Sequence, residues 1–171
     1  VCPIDKGVLD ICIDFSNIDG TLWTKDTESS WDKSIWRYAQ VIPTDVPPDS
    51  SGIVRHLGGT PFFRCPAIEG EKGPSVFIKD DTLMPSGSLK DRASAVVVAD
   101  AIARKSPGII TASTGNAGVA LAAMGAAANI ATIILVPRST PQAKISQMIA
   151  YGGNVILVEG SYSEAFDLVV E

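Results

Sequence analysis

Two short stretches hold residue types that could do chemistry together. In the first, residues 85–92 (PSGSLKDR), Ser88 is a good helix N-cap and Asp91 follows three residues later, a capping-box-like pair. Lys90 then falls in the first helical turn, where unsatisfied backbone N–H groups already make the field positive. An ammonium there opposes the helix dipole, and burial would disfavour its charge further. Both effects favour the free amine, the form that condenses with an aldehyde. The same spacing also fits an ordinary capped helix carrying a solvated lysine.

The second stretch, residues 111–118 (TASTGNAG), joins an apolar run to a helix start through small hydroxyl residues, a glycine and an asparagine. Backbone N–H groups at such a start can hold an anion such as a carboxylate. Asn116 can hydrogen-bond a ring oxygen while Ser113 and Thr114 line a pocket. A strand-to-helix turn with redundant caps would show the same pattern. Neither G-x-x-x-x-G-K-[ST] nor G-x-G-x-x-G occurs, so P-loop and dinucleotide readings find no support.

Positioning these stretches falls to a regular alternation from about residue 75 onward. Strands are predicted at 75–79, 108–112, 130–136 and 154–158, and helices at 89–104 and 117–128. Thr140-Pro141 reads as an N-cap with proline at N1, opening a helix that stops at Gly152. Ser161-x-x-Glu164 is a capping box opening a last helix. Short connections and strands apolar on both faces predict an α/β fold, a three-layer parallel sheet with helices on both faces. In such sheets ligands sit beyond the carboxyl ends of the strands, where both stretches fall. Residues 1–75 are less regular and hold most of the aromatic residues; 8–15 could be a strand and 32–40 a short helix. The expected division is therefore 1–75, an N-terminal segment, and 76–171, the region carrying both stretches. The last helix has no stop signal, so the architecture reads as incomplete at its C-terminal end.

Composition removes several classes of function. The chain has 171 residues, 46% of them hydrophobic and 19% charged, with a formal charge of −5 and no lysine/arginine cluster to track phosphates, which argues against nucleic acid. No apolar run reaches the roughly 18 to 20 residues of a membrane span, so a cytoplasmic protein is expected. Cys2, Cys12, Cys65 and His56 are too sparse for a disulfide framework, and without a C-x-x-C pair no metal site is predicted.

Taken together, PSGSLKDR and ASTGNAG, separated by one helix and one strand, resemble the signature loops of the tryptophan-synthase-β group (fold type II) of pyridoxal-phosphate enzymes. The resemblance implies pyridoxal 5'-phosphate as cofactor, held covalently by Lys90, with Asn116 orienting its ring through the 3′ oxygen. Ser113, Thr114 and the N–H groups near Gly115 would hold the substrate carboxylate. Ser88 is then the helix cap, and Asp91 and Arg92 are structural. Further blocks, SIWRY (34–38), LGGTPFF (57–63) and YGGNVILVEGSYSEAF (151–166), are similar to those of the threonine synthases. Those enzymes convert O-phospho-L-homoserine and water to L-threonine and phosphate. STPQAK (139–144) resembles the serine/threonine dehydratases, which stand as the alternative. Cys2-Pro3-Ile4-Asp5 resembles the remnant of a cysteine ribbon with Asp5 replacing its second cysteine, which implies no zinc. An amino-acid substrate and a homodimer are the partners expected. By the same likeness the chain matches the front of the family's length, without its later glycine-rich phosphate loop. A non-catalytic fragment is thus a second alternative.

Overall fold

The computed structural model describes residues 2, 4, 7, 10–18, 32–70 and 73–170. Its elements in chain order are α1 (Ile53–His56), β1 (Phe62–Arg64), β2 (Phe77–Lys79), α2 (Lys90–Ala103), β3 (Gly108–Ala112), α3 (Asn116–Ala127), β4 (Ala131–Pro137), α4 (Gln142–Ala150), β5 (Asn154–Val158) and α5 (Tyr162–Val170).

The apolar runs from residue 108 onward form one parallel sheet in the order β3-β4-β5, with Ile110 opposite Ile133 and Leu135 opposite Ile156. Side chains of β4 alternate between its two faces. Ile134 and Val136 pack with Val119 and Ala122 of α3 and with Ile145 and Met148 of α4. Leu135 points the other way, into a cluster with Ala112 and with Ala165 of α5. Helices therefore cover both faces, as expected of the α/β pattern. Fully burying a side chain the size of Ile134 or Met148 contributes about 1.5–3 kcal/mol.

Small residues let the layers approach. A Cβ built on Gly125 of α3 would lie 2.1 Å from Thr132 Oγ1 of β4. On its outer side α3 meets α2, whose Ala95, Val98 and Ala99 cluster with Leu121 and Met124. Trp36, Val54 and Leu57 join the same cluster, and Trp36 Nε1 donates to the carbonyl of Val54 at 2.8 Å. The early segment is thus seated on the helical layer.

Several sequence expectations are corrected. The strand at 75–79 is not part of the parallel sheet: β2 pairs antiparallel with β1, Phe62 opposite Lys79, and the Phe62 and Phe77 rings stack at 5.3 Å. The expected segments 1–75 and 76–171 are joined through that pairing. Of the strand at 8–15, residues 8 and 9 lie outside the described residues, and Phe15–Asn17 form a 3-10 turn capped by Asp14. At 32–40 the helix is a 3-10 segment, Ile35–Val41, because the Ser34 side chain takes the Trp36 N–H in a tight local turn. Helix α4 starts one residue late: Pro141, extended at ψ 129°, is its N-cap, and the buried Thr140 hydroxyl has no partner among the described residues. Gly152 does end that helix, with φ +90° and its N–H on the carbonyl of Ile149. Among the described residues no helix is long and apolar enough to cross a membrane.

Candidate active site

The loop before α2 is fixed at both ends. Met84 is buried in the core at 4% exposure, and Tyr151, at the end of α4, donates its hydroxyl to the carbonyl of Pro85 at 3.3 Å. Gly87 adopts φ +74°, a backbone state that favours glycine. This turn brings Ser86 over the first turn of α2. Asp91, with no solvent exposure, accepts the Ser86 N–H at 2.7 Å and the Ser86 hydroxyl at 2.5 Å. The capping box anticipated between Ser88 and Asp91 therefore closes on Ser86 instead. Ser88 keeps a lesser capping role, accepting the Lys90 N–H at 3.3 Å.

A second network clamps the other side of that turn. Arg92 donates Nε and Nη2 to the two carboxylate oxygens of Asp81, at 3.0 and 2.8 Å, and Nη2 also to Thr60 Oγ1 at 3.1 Å. The Thr60 hydroxyl donates to Asp81 at 2.7 Å, and Lys79 Nζ donates to the Thr60 carbonyl. Hydrogen bonds from Arg92 are the largest cause holding the Asp81 carboxyl at about 2. Asp91 and Arg92 thus share the work of anchoring the helix start, each facing a different part of the chain. Lys90 immediately precedes them in the first turn of α2. It is exposed, and among the described residues its ammonium makes no hydrogen bond or ion pair. The burial half of the sequence argument is not met; the first-turn position is.

The loop between β3 and α3 is built from below by two contacts. Tyr162 of α5 donates to the carbonyl of Ala112 at 3.3 Å, and Ser113, 8% exposed, accepts the Gly118 N–H at 2.9 Å. Ser113 Oγ is therefore the side-chain cap of α3, leaving its hydroxyl hydrogen free to donate. Gly118 is tightly enclosed: a Cβ would sit 3.0 Å from Met148 Cε and 3.1 Å from the Ser113 carbonyl, so its neighbours would have to give by a few tenths of an ångström. Gly115 is the opposite case: a Cβ there would meet nothing within 4 Å. The N–H groups of Asn116 and Ala117, which open α3, have no acceptor among the described residues. The exposed Asn116 side chain accepts from Lys144 Nζ of α4 at 2.7 Å, and Lys144 also donates to Gln147 at 3.2 Å.

Helices α2 and α3 pack side by side, and their C-terminal residues Ile102, Ala127 and Ala128 join one cluster with Ile109 and Ile130, which lie at the starts of β3 and β4. Lys90 and Asn116 each open their helix about 18 Å above that level. Both therefore stand at the carboxyl edge of the sheet. The structure thus brings Ser113, Thr114, Gly115 and Asn116 into one loop with Lys90 at the same edge, although no hydrogen bond joins Lys90 to that loop. Sequence reasoning did not single out Lys144, Tyr151 or Tyr162, whose partners lie 28 to 66 residues away.

This pairing of a lysine-headed helix with an asparagine-headed helix can be set against known proteins. Residues 53–171 match the family described as pyridoxal-phosphate dependent enzyme. The chain belongs to that family. Curated relatives include the threonine synthases of Methanosarcina acetivorans, 31% identical over 98% of this chain, and of Methanocaldococcus jannaschii, 33% identical over 95%. The chain spans 40% of the length of each. Among solved structures, cysteine synthase from Entamoeba histolytica superposes with TM-score 0.62 at 28% identity, over 70% of this chain and 38% of that one. A pyridoxal 5'-phosphate-dependent aspartate racemase gives 0.60 at 29%, over 74% and 43%.

The family's cofactor is pyridoxal phosphate, and the residues present fit the part of it that carries the aldehyde and ring oxygen. Lys90 offers an uncommitted amine, Gly115 faces open space, and the start of α3 presents N–H groups without acceptors. Among the described residues no group of three histidine, cysteine or acidic side chains could hold a metal ion, and Asp5 lies outside those residues.

Proposed function

We propose that the chain is the lysine- and asparagine-bearing part of a threonine synthase, acting on O-phospho-L-homoserine and water to give L-threonine and phosphate. The observation that carries this reading is the uncommitted Lys90 amine at the same sheet edge as the 113–116 loop. The two archaeal threonine synthases, alike over nearly the whole chain, support the choice of reaction. Pyridoxal phosphate, when bound, supplies an electron sink for charge developing beside the amino-acid nitrogen. Lys90 Nζ would hold it, and serves as the base and acid that moves protons at the substrate's α and β carbons. Asn116 would orient the ring through its 3′ oxygen. The substrate carboxylate would rest on the N–H groups near Gly115, those of Asn116 and Ala117, with the Ser113 and Thr114 hydroxyls beside it. A cytoplasmic location accompanies this reading, with Cys2, Cys12 and Cys65 all unpaired.

The test is covalent. Incubation with pyridoxal phosphate followed by borohydride reduction should fix one phosphopyridoxyl group on Lys90, found by peptide mass mapping. Lys90→Ala should abolish it, a loss of at least about 50-fold in labelling. Equal labelling of the variant would overturn the assignment. With phosphohomoserine as substrate, threonine and phosphate are the expected products; conversion of threonine to a 2-oxo acid and ammonia would instead favour a dehydratase.

A further inference from the structure

Asn116 carries an ambivalent side chain: its amide can present either a carbonyl acceptor or an NH2 donor to a ligand. The structure resolves that ambivalence with a residue from a different helix. Lys144 Nζ, in the first turn of α4, lies 2.7 Å from Asn116 Oδ1. An ammonium has three donors and no acceptor, so it can face only the carbonyl oxygen of the amide. The flip of the Asn116 side chain is thereby chemically determined, and its NH2 is directed away from Lys144. That NH2 has no partner among the described residues. Gln147, three residues on along α4, accepts a second Lys144 proton at 3.2 Å.

We infer that Lys144 is a positioning residue: it locks the Asn116 amide as an obligate donor, aimed at an acceptor oxygen on the cofactor ring. The inference rests on the reading of Asn116 as the ring-facing asparagine. It makes the site selective for a ligand with an oxyanion or phenolic oxygen at that point. Among the described residues the Lys144 ammonium donates to Asn116 and Gln147, so its effect on the cofactor passes through the asparagine.

Three variants of the 171-residue chain test this: Lys144→Met, Lys144→Arg and Asn116→Ala, with the Lys144→Met/Asn116→Ala double variant closing the cycle. Without cofactor, the Asn116 side-chain NH2 signals in a 15N-correlated NMR spectrum should shift in Lys144→Met and stay near the parent position in Lys144→Arg. With pyridoxal phosphate, borohydride-fixed labelling of Lys90 should need about five-fold more cofactor for Lys144→Met, be rescued by Lys144→Arg, and show no further loss when Lys144→Met is added to Asn116→Ala. Unchanged amide signals in Lys144→Met would overturn the inference, as would additive losses in the double variant, which would mean Lys144 acts by another route. Label at Lys90 with Lys144→Met indistinguishable from the parent overturns this inference alone. Absence of label in the parent chain overturns the reading of Lys90 and this inference together.

Discussion

Asp81 is the residue on which the early and late parts of the chain converge, because Arg92 of α2 and Thr60 of the loop before β1 both donate to it. Its carboxyl titrates at about 2 in the folded chain, against an ordinary value of 3.8 for an aspartate in water. A carboxyl depressed by folding contributes stability that is fully present above pH 3.8 and is lost as the pH falls through 2. The loss across that window should be on the order of 2 kcal/mol. Urea titrations at pH 5 and pH 2.5 should show the difference, and Asp81→Asn should remove this share of the acid sensitivity while lowering stability at pH 5. At this scale the sequence is informative about type and position more than about partner. Asp91 falls in the first helical turn and reads as structural, and it is. Its partner is Ser86 and not Ser88 because the positive φ of Gly87 turns the chain back, a conformation that spacing does not encode. The contact between Lys144 and Asn116 spans 28 residues, and no local pattern announces it.

Among the elements, the regular alternation after residue 108 is legible because each strand is a short apolar run and each helix carries its own start or stop chemistry. Gly152 ends α4, and Ser161 and Glu164 bond reciprocally at the start of α5, the Ser161 N–H at 2.6 Å from the Glu164 carboxylate. The strand at 75–79 shows where this reading stops. Five residues can say that a segment is extended, but its sheet is chosen by β1, which supplies an antiparallel edge and the Phe62–Phe77 stack. How closely α3 lies on β4 is equally hidden, since an alanine-rich helix can pack at many distances. The spacing rests on Gly125, where a methyl would sit 2.1 Å from Thr132 Oγ1 and 3.1 Å from the carbonyl of Ile130. Gly125→Ala gains about 1 kcal/mol of helix propensity but must push α3 off the strand, at a cost of roughly 1–3 kcal/mol. Overpacking should win, and a fall in thermal midpoint would show it; a rise would mean that Thr132 rotates aside freely.

For the whole molecule, the far face of the sheet is covered unevenly. Helix α5 sits over β3 and β4, while Ile110 remains 47% exposed and Ile156 50% exposed. Uncovered apolar side chains of this kind promote dye binding and self-association. Ile156→Lys should change folding stability by no more than about 0.5 kcal/mol while reducing the fluorescence of a bound naphthalene sulfonate dye; a large destabilisation would mean that the face is packed in solution. The placement of α5 also has a chiral consequence. Connections between parallel strands turn right-handed in about 98% of cases. With α3 and α4 on one face, that hand has advanced the sheet from β3 toward β5. By crossing to the opposite face, α5 reverses the direction of travel: a strand reached from it in this sheet would be laid beside β3.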